Sequence, residues 1–92
     1  SILEKAYTLV SQSTCGVGVS LDLDAIDPRD APGVGCPEAN GISGAELVLA
    51  LEAMVLNWNF LGLEMAEYNP IVDINHKTAK LIIDVLHAVY PP

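Results

Sequence analysis

Basic residues are scarce in this 92-residue sequence: four Lys and Arg against twelve Asp and Glu, a formal charge of −8. Nucleic-acid binding neutralises phosphates with a basic surface, and four scattered cations exclude one. Cysteine is scarce too. Cys15 and Cys36 make no disulfide framework, and their separation fits no zinc-ligand spacing. Long hydrophobic runs are missing. The longest, Ala45 to Leu56, is interrupted by Glu46 and Glu52 and is too short to span a membrane. Ser1 to Gln12 lacks the basic start and long apolar stretch of a signal peptide, so a cytoplasmic location is expected. An initiating methionine is also lacking, and a processed or cut chain is expected.

What is present is apolar. Hydrophobic residues make up 51% of the chain and charged ones 17%, against a usual charged share of about 25%. That composition excludes disorder. A chain of this length buries only about 60–65% of the surface its unfolded form exposes. Low charge on so small a chain implies surfaces that another segment or chain covers.

Ser1 to Gln12 reads as a helix, with Ile2, Leu3, Tyr7, Leu9 and Val10 on overlapping faces. Gly16 to Asp24 alternates as a strand. Val17, Val19, Leu21 and Leu23 face one way; Gly18, Ser20, Asp22 and Asp24 face the other. Ala25 to Asn40 is a loop carrying Pro28, Pro32, Gly33, Gly35 and Pro37, and a loop of that length is often functional. Ile42 to Asn57 is a helix with Ser43 and Glu46 as a capping box and Ile42 and Leu47 as a staple. It is apolar nearly all round, which predicts packing on more than one side. Phe60 to Glu67 is a second strand, stopped by Tyr68-Asn69-Pro70. A last helix, capped by Asp73 or Asn75, runs to Tyr90 and ends at Pro91 and Pro92. Two strands joined through a helix imply a parallel, right-handed crossover. Parallel sheets need both faces covered, so the rest of the sheet is expected to come from elsewhere.

Asp22 and Asp24 are the sharpest chemical feature. Two apart on a strand, they would share a face with Cα atoms about 6.5–7 Å apart, at the strand end where open α/β sheets place ligands. Carboxylates so placed repel unless a positive charge sits between them, and the nearby sequence offers only Arg29. A hard divalent cation, or a pair bridged by carboxylates, suits them. The same residues also fit a turn cap, with Asp27-Pro28 an ordinary turn signal. A bare D-x-D further occurs at nucleotide-sugar and phosphate sites, but the phosphate-cradling glycine loop or basic clamp of such sites is absent.

The wider sequence carries more. Ser20-Leu21-Asp22-Leu23-Asp24-Ala25-Ile26-Asp27-Pro28, then Ala31-Pro32-Gly33-Val34-Gly35-Cys36-Pro37, then Gly41-Ile42, resembles the ureohydrolase family of arginase, agmatinase and formimidoylglutamase. Gly62 to Pro70 resembles the family's D-x-x-E-x-N-P segment, and Thr78-Ala79-Lys80-Leu81 also fits. The resemblance covers the whole chain. It implies an α/β fold class, with this chain a parallel-sheet βαβ fragment of the three-layer arginase-like fold. Residues 1–92 would form the C-terminal part of a catalytic domain.

The resemblance implies two Mn²⁺ per site, a small guanidino substrate and a homo-oligomer. It makes Asp22 and Asp24 metal ligands and Glu67 the acid that binds the guanidinium. A carboxylate suits that task because it pairs with the planar donor fork at two points. Asp27 is expected to hold the loop through backbone contacts. Glu67-Tyr68-Asn69-Pro70 is nearer the arginase form, which implies hydrolysis of arginine to ornithine and urea; agmatinase and formimidoylglutamase are the alternatives.

Cys36 stands where the family usually has Thr, and a thiol is the weaker hydrogen-bond partner. Glu64 stands where Asp is common. Asn40 replaces one glycine of a pair and tolerates a left-handed backbone. The family's His segment and Asp-x-His-x-Asp segment are not in the sequence, and His76 and His87 match no motif position. His76 is expected at a helix start and His87 on a helix surface. Half a metal site is therefore expected, without catalysis by the chain alone. The competing expectation is a self-associating assembly module driven by the apolar helix.

Overall fold

The computed structural model describes residues 2–91. Ser1 and Pro92, expected to begin the first helix and follow the last, lie outside the described residues. Among the described residues, three α-helices and two strands follow one another as α1 (Ile2–Val10), β1 (Val17–Asp22), α2 (Gly44–Asn57), β2 (Phe60–Ala66) and α3 (Lys77–Val89). Short 3₁₀ turns lie at Leu23–Ala25, Pro70–Val72 and Ile74–His76. Among the described residues, no helix is long and apolar enough to cross a membrane.

β1 and β2 pair in parallel, with Val19 opposite Leu63, Leu21 opposite Met65 and Asp22 opposite Ala66. A register shift between Val17 and Gly18 brings the alternation into phase. One face of the sheet carries Val17, Val19 and Leu21 with Phe60, Leu63 and Met65; the other carries Gly18, Ser20 and Asp22 with Gly62, Glu64 and Ala66. The apolar face packs against the buried core. That core includes Leu51 and Met54 from α2, and Leu81, Val85, Ala88 and Val89 from α3. Leu23, Ile26 and Val85 have no exposed surface; each such side chain stabilises the fold by about 1.5–3 kcal/mol. On the polar face, the Ser20 hydroxyl donates to Glu64 Oε1 across the strands at 2.8 Å. The sheet is thus covered on one face by helices.

α2 starts where the sequence predicts. Ser43 is its N-cap and accepts from the Glu46 N–H at 3.4 Å. Asp30, from the preceding loop, accepts the Gly44 N–H at 2.9 Å, so two of the helix's orphan donors are satisfied. Within this chain α2 is filled on one side. It packs against α3 and the core through Gly44, Leu51 and Met54, while Leu49 and Leu56 are 66% and 85% exposed.

Of the two residues expected to cap α3, Asp73 does so and Asn75 does not. His76, in the left-handed region at φ 56°, is the residue before the helix, and neither it nor Asn75 caps it with a side chain. Asp73 does the capping from outside: its two carboxylate oxygens accept the Thr78 and Ala79 N–H groups at 2.8 and 3.0 Å. α1 has no buried residue. It is attached by stacking of Tyr7 on Trp58, centroids 4.3 Å apart, and by the Asn59 N–H donating to the Tyr7 hydroxyl at 3.2 Å.

Candidate functional site

The candidate site lies at the C-terminal edge of the sheet. The register places Asp22 opposite Ala66. The chain therefore leaves β1 through Asp22 and Asp24 and leaves β2 through Glu67 on adjacent strands, at the same edge. Parallel sheets collect ligands there because the loops that follow the strands diverge.

The expectation that Asp22 and Asp24 share a strand face is corrected. β1 stops at Asp22, and Asp24 lies in the 3₁₀ turn. Asp22 caps that turn, its Oδ1 accepting the Asp24 N–H at 2.9 Å. Asp24 reaches back to the loop, its Oδ1 accepting the Cys36 N–H at 3.4 Å. Asp22 is exposed and Asp24 half-buried. The turn-cap and metal readings of the pair are therefore compatible: one oxygen of Asp22 holds the turn, and the turn carries Asp24 over the sheet edge. The contact at Cys36 uses its backbone N–H, so the exchange of hydroxyl for thiol leaves that hydrogen bond intact.

Arg29 does not compensate this pair. Its guanidinium forks onto Asp27, with Nε donating to Oδ1 at 3.1 Å and an Nη to Oδ2 at 3.2 Å. Asp27 is buried and also accepts the Arg29 N–H at 2.9 Å. The Arg29 side-chain bonds lead in holding the Asp27 carboxyl below its ordinary pKa, with help from the N–H groups of Arg29 and Asn40 and against the opposing effect of burial. The Asp27 backbone is tied as well: its N–H donates to the Ile42 carbonyl, and its own carbonyl accepts from Asp30 and Ala31. Asp27 therefore organises the loop that returns from the sheet edge to α2. Gly41 sits where that loop crosses its own start. A Cβ there would meet the Ala25 carbonyl oxygen at 2.7 Å. Asn40 adopts φ 61°, the left-handed conformation that asparagine tolerates.

Glu67 follows β2 directly and is exposed, with φ 72°. A left-handed backbone at a residue with a long side chain is strained by about 1–3 kcal/mol, and such strain gathers at functional positions. The next residues fix it. Tyr68 forms an antiparallel bridge with Val34. The Asn69 N–H donates to the Gly33 carbonyl at 2.7 Å. The Tyr68 hydroxyl donates to Asp73 Oδ2 at 3.0 Å. Partial burial leads in raising the Tyr68 phenol pKa, and the Asp73 carboxylate raises it further. Burial alone would raise Asp73, but the N–H groups of Thr78 and Ala79 and the hydroxyls of Thr78 and Tyr68 outweigh it and lower its pKa to about 2.

The sequence reading did not find Asp73 as the centre of this network. The signal was its place five residues before a threonine that starts a helix, which the capping expectation used only in part. His76 stands at the helix start and His87 is exposed on α3, away from the sheet edge. Among the described residues, no group of three or more His, Cys, Asp or Glu is placed to hold a metal ion. Asp22 and Asp24 are hard oxygen donors and fit manganese as part of a ligand set.

The model of the Arginase family matches residues 1–90. The chain is 39% identical to an arginase of Brevibacillus brevis over 89 residues, 97% of this chain and 30% of that one. It superimposes on the crystal structure of an arginase from Bacillus subtilis with TM-score 0.88 and 37% identity, covering 99% of this chain and 31% of that one. A formimidoylglutamase from the same species gives TM-score 0.86 and 27% identity, over 96% of this chain and 28% of the other. The chain thus spans about a third or less of the length of these proteins.

Proposed function

The chain belongs to the arginase family, and from that premise we propose that it is the C-terminal part of the catalytic domain of a manganese-dependent hydrolase. The substrate is a guanidino compound, with arginine giving ornithine and urea. The observation that carries the proposal is the register. It sets Asp22, Asp24 and Glu67 at one sheet edge, with both aspartates beside a strand end and the glutamate on the neighbouring strand.

In this reading Asp22 and Asp24 each offer a carboxylate oxygen to metal, and the other ligands come from a preceding segment of the parent chain. When bound, the manganese pair supplies Lewis acidity that lowers the pKa of water at the site. Glu67 accepts the guanidinium N–H groups in two-point fashion and aims the central carbon at the sheet edge. Its charge also compensates the substrate cation, so binding favours guanidino over neutral amide substrates. Arg29 is committed to Asp27 through its guanidinium fork. Catalysis by the 92-residue chain alone is not expected, because two carboxylates leave most positions of a hard cation to water.

Arginine is favoured over agmatine and formimidoylglutamate by the Glu67-Tyr68-Asn69-Pro70 segment. The proposal includes a homo-oligomer and a cytoplasmic location. A second reading, self-association of this chain as an assembly module, is favoured by the exposure of Leu49, Leu56 and Leu61. The test is urea release by the full-length protein supplied with Mn²⁺ and arginine or agmatine, with formamide release as the readout for formimidoylglutamate. Mn²⁺-dependent urea from arginine, lost in Asp24→Ala, is expected. Urea release by the purified 92-residue chain would contradict the division of the site.

A further inference from the structure

The loop that follows the two aspartates and the segment that carries Glu67 are joined at one buried point. Gly33 lies at that point, with both its peptide groups taken from opposite sides. Its N–H donates to Thr78 Oγ1 at 2.7 Å, and its carbonyl accepts the Asn69 N–H at 2.7 Å. Val34 continues the junction through its bridge with Tyr68 and is 3% exposed. Beneath it, the Asp73 carboxylate accepts from Thr78 N–H, Ala79 N–H and the Tyr68 hydroxyl. Thr78 is fully buried and Asp73 is 8% exposed. No slack exists between the layers: a Cβ on Gly33 would lie 2.7 Å from Asp73 Cβ.

We propose that Asp73, Thr78 and Tyr68 are positioning residues, which set Glu67 relative to the loop leaving Asp22 and Asp24. The inference rests on the guanidino-hydrolase reading and adds residues to it that touch neither metal nor substrate. Glu67 is strained and exposed, so its own side chain does not fix its place. The residue after it is held twice, through its backbone to Val34 and through its hydroxyl to Asp73. Asp73 in turn holds the helix start that presents Thr78 to Gly33. A single carboxylate therefore couples the metal-side loop, the substrate-side strand end and α3. Buried hydrogen-bonded groups of this kind fix geometry because each alternative leaves a donor unpaired.

The test uses the full-length protein with Mn²⁺ and arginine, and compares Tyr68→Phe, Thr78→Val and Thr78→Ser. Tyr68→Phe keeps the ring and removes one hydroxyl at a partly exposed site, so folding is retained. It is expected to raise KM about threefold to tenfold, since a displaced binding group loses orientation, with manganese content unchanged and the melting temperature lowered by no more than about a few degrees. Thr78→Val is expected to raise KM about tenfold or more, and Thr78→Ser to return it to within about twofold of the parent. Wild-type KM in both Tyr68→Phe and Thr78→Val, in an active and folded protein, overturns the positioning role. So does a lowered melting temperature with KM unmoved. Absence of urea from the unsubstituted protein, with agmatine as well as with arginine, overturns the guanidino-hydrolase reading, and the positioning role with it.

Discussion

A methyl group at Gly33 would sit 2.7 Å from Asp73 Cβ and 3.0 Å from Thr78 Oγ1, both on buried side chains that cannot retreat. Gly33→Ala is therefore expected to destabilise the protein by about 1–3 kcal/mol, the range for overpacking; a urea-denaturation midpoint checks it. Asp73 adds a pH dependence. Its carboxyl is lowered from the ordinary 3.8 to about 2 in the fold. The stabilisation it gives is then complete above its unfolded value and is lost as pH falls through about 2. In Asp73→Asn the acid limb of the stability profile between those two values should flatten, as followed by circular dichroism. The candidate site residues were legible unevenly at this scale. Asp22, Asp24 and Glu67 stood out because the spacing and the family resemblance name them. Asp73 did not, since its role depends on Tyr68 and Gly33 arriving from elsewhere in the chain. The commitment of Arg29 to Asp27 was also invisible, because sequence proximity offered the guanidinium to either carboxylate group.

At the scale of elements, α2 shows how local and tertiary signals divide. Its start was readable because a cap is a local event, and Ser43 meets Glu46 within one turn. Ser43→Ala is expected to cost about 1 kcal/mol of stability, as for other N-cap losses. Its packing was not readable, because hydrophobicity all round a helix does not say which side is filled. Leu51 is 2% exposed and Leu56 is 85% exposed on the same helix. Leu51→Ala should therefore destabilise by about 2–5 kcal/mol, while Leu56→Glu should leave thermal stability nearly unchanged and weaken self-association in sedimentation. Both strands were found, the first with the alternation of Val17, Val19 and Leu21 kept, but each was read past its true end. Asp22 turns the chain by capping a 3₁₀ turn, and the left-handed backbone of Glu67 ends β2 one residue early. Both ends are made by side-chain and long-range contacts that hydrophobic period does not report.

For the whole molecule, the low charge and small size noted in the sequence correspond to a sheet covered by helices on one face and to apolar side chains left at the surface. Leu49, Leu56, Leu61 and Ile71 are among them, the last 92% exposed. The relatives are about three times as long, which fits the reading that a preceding segment covers these surfaces and completes the ligand set. Concentration-dependent association of the isolated chain is accordingly expected by sedimentation velocity. The central claim is that Asp22 and Asp24 form half of a metal site. A calorimetric Mn²⁺ titration of the 92-residue chain, with Asp22→Ala alongside, tests it most directly. Weak binding that Asp22→Ala removes is predicted. Tight binding of two ions by the chain alone, or binding that Asp22→Ala leaves unchanged, would contradict it.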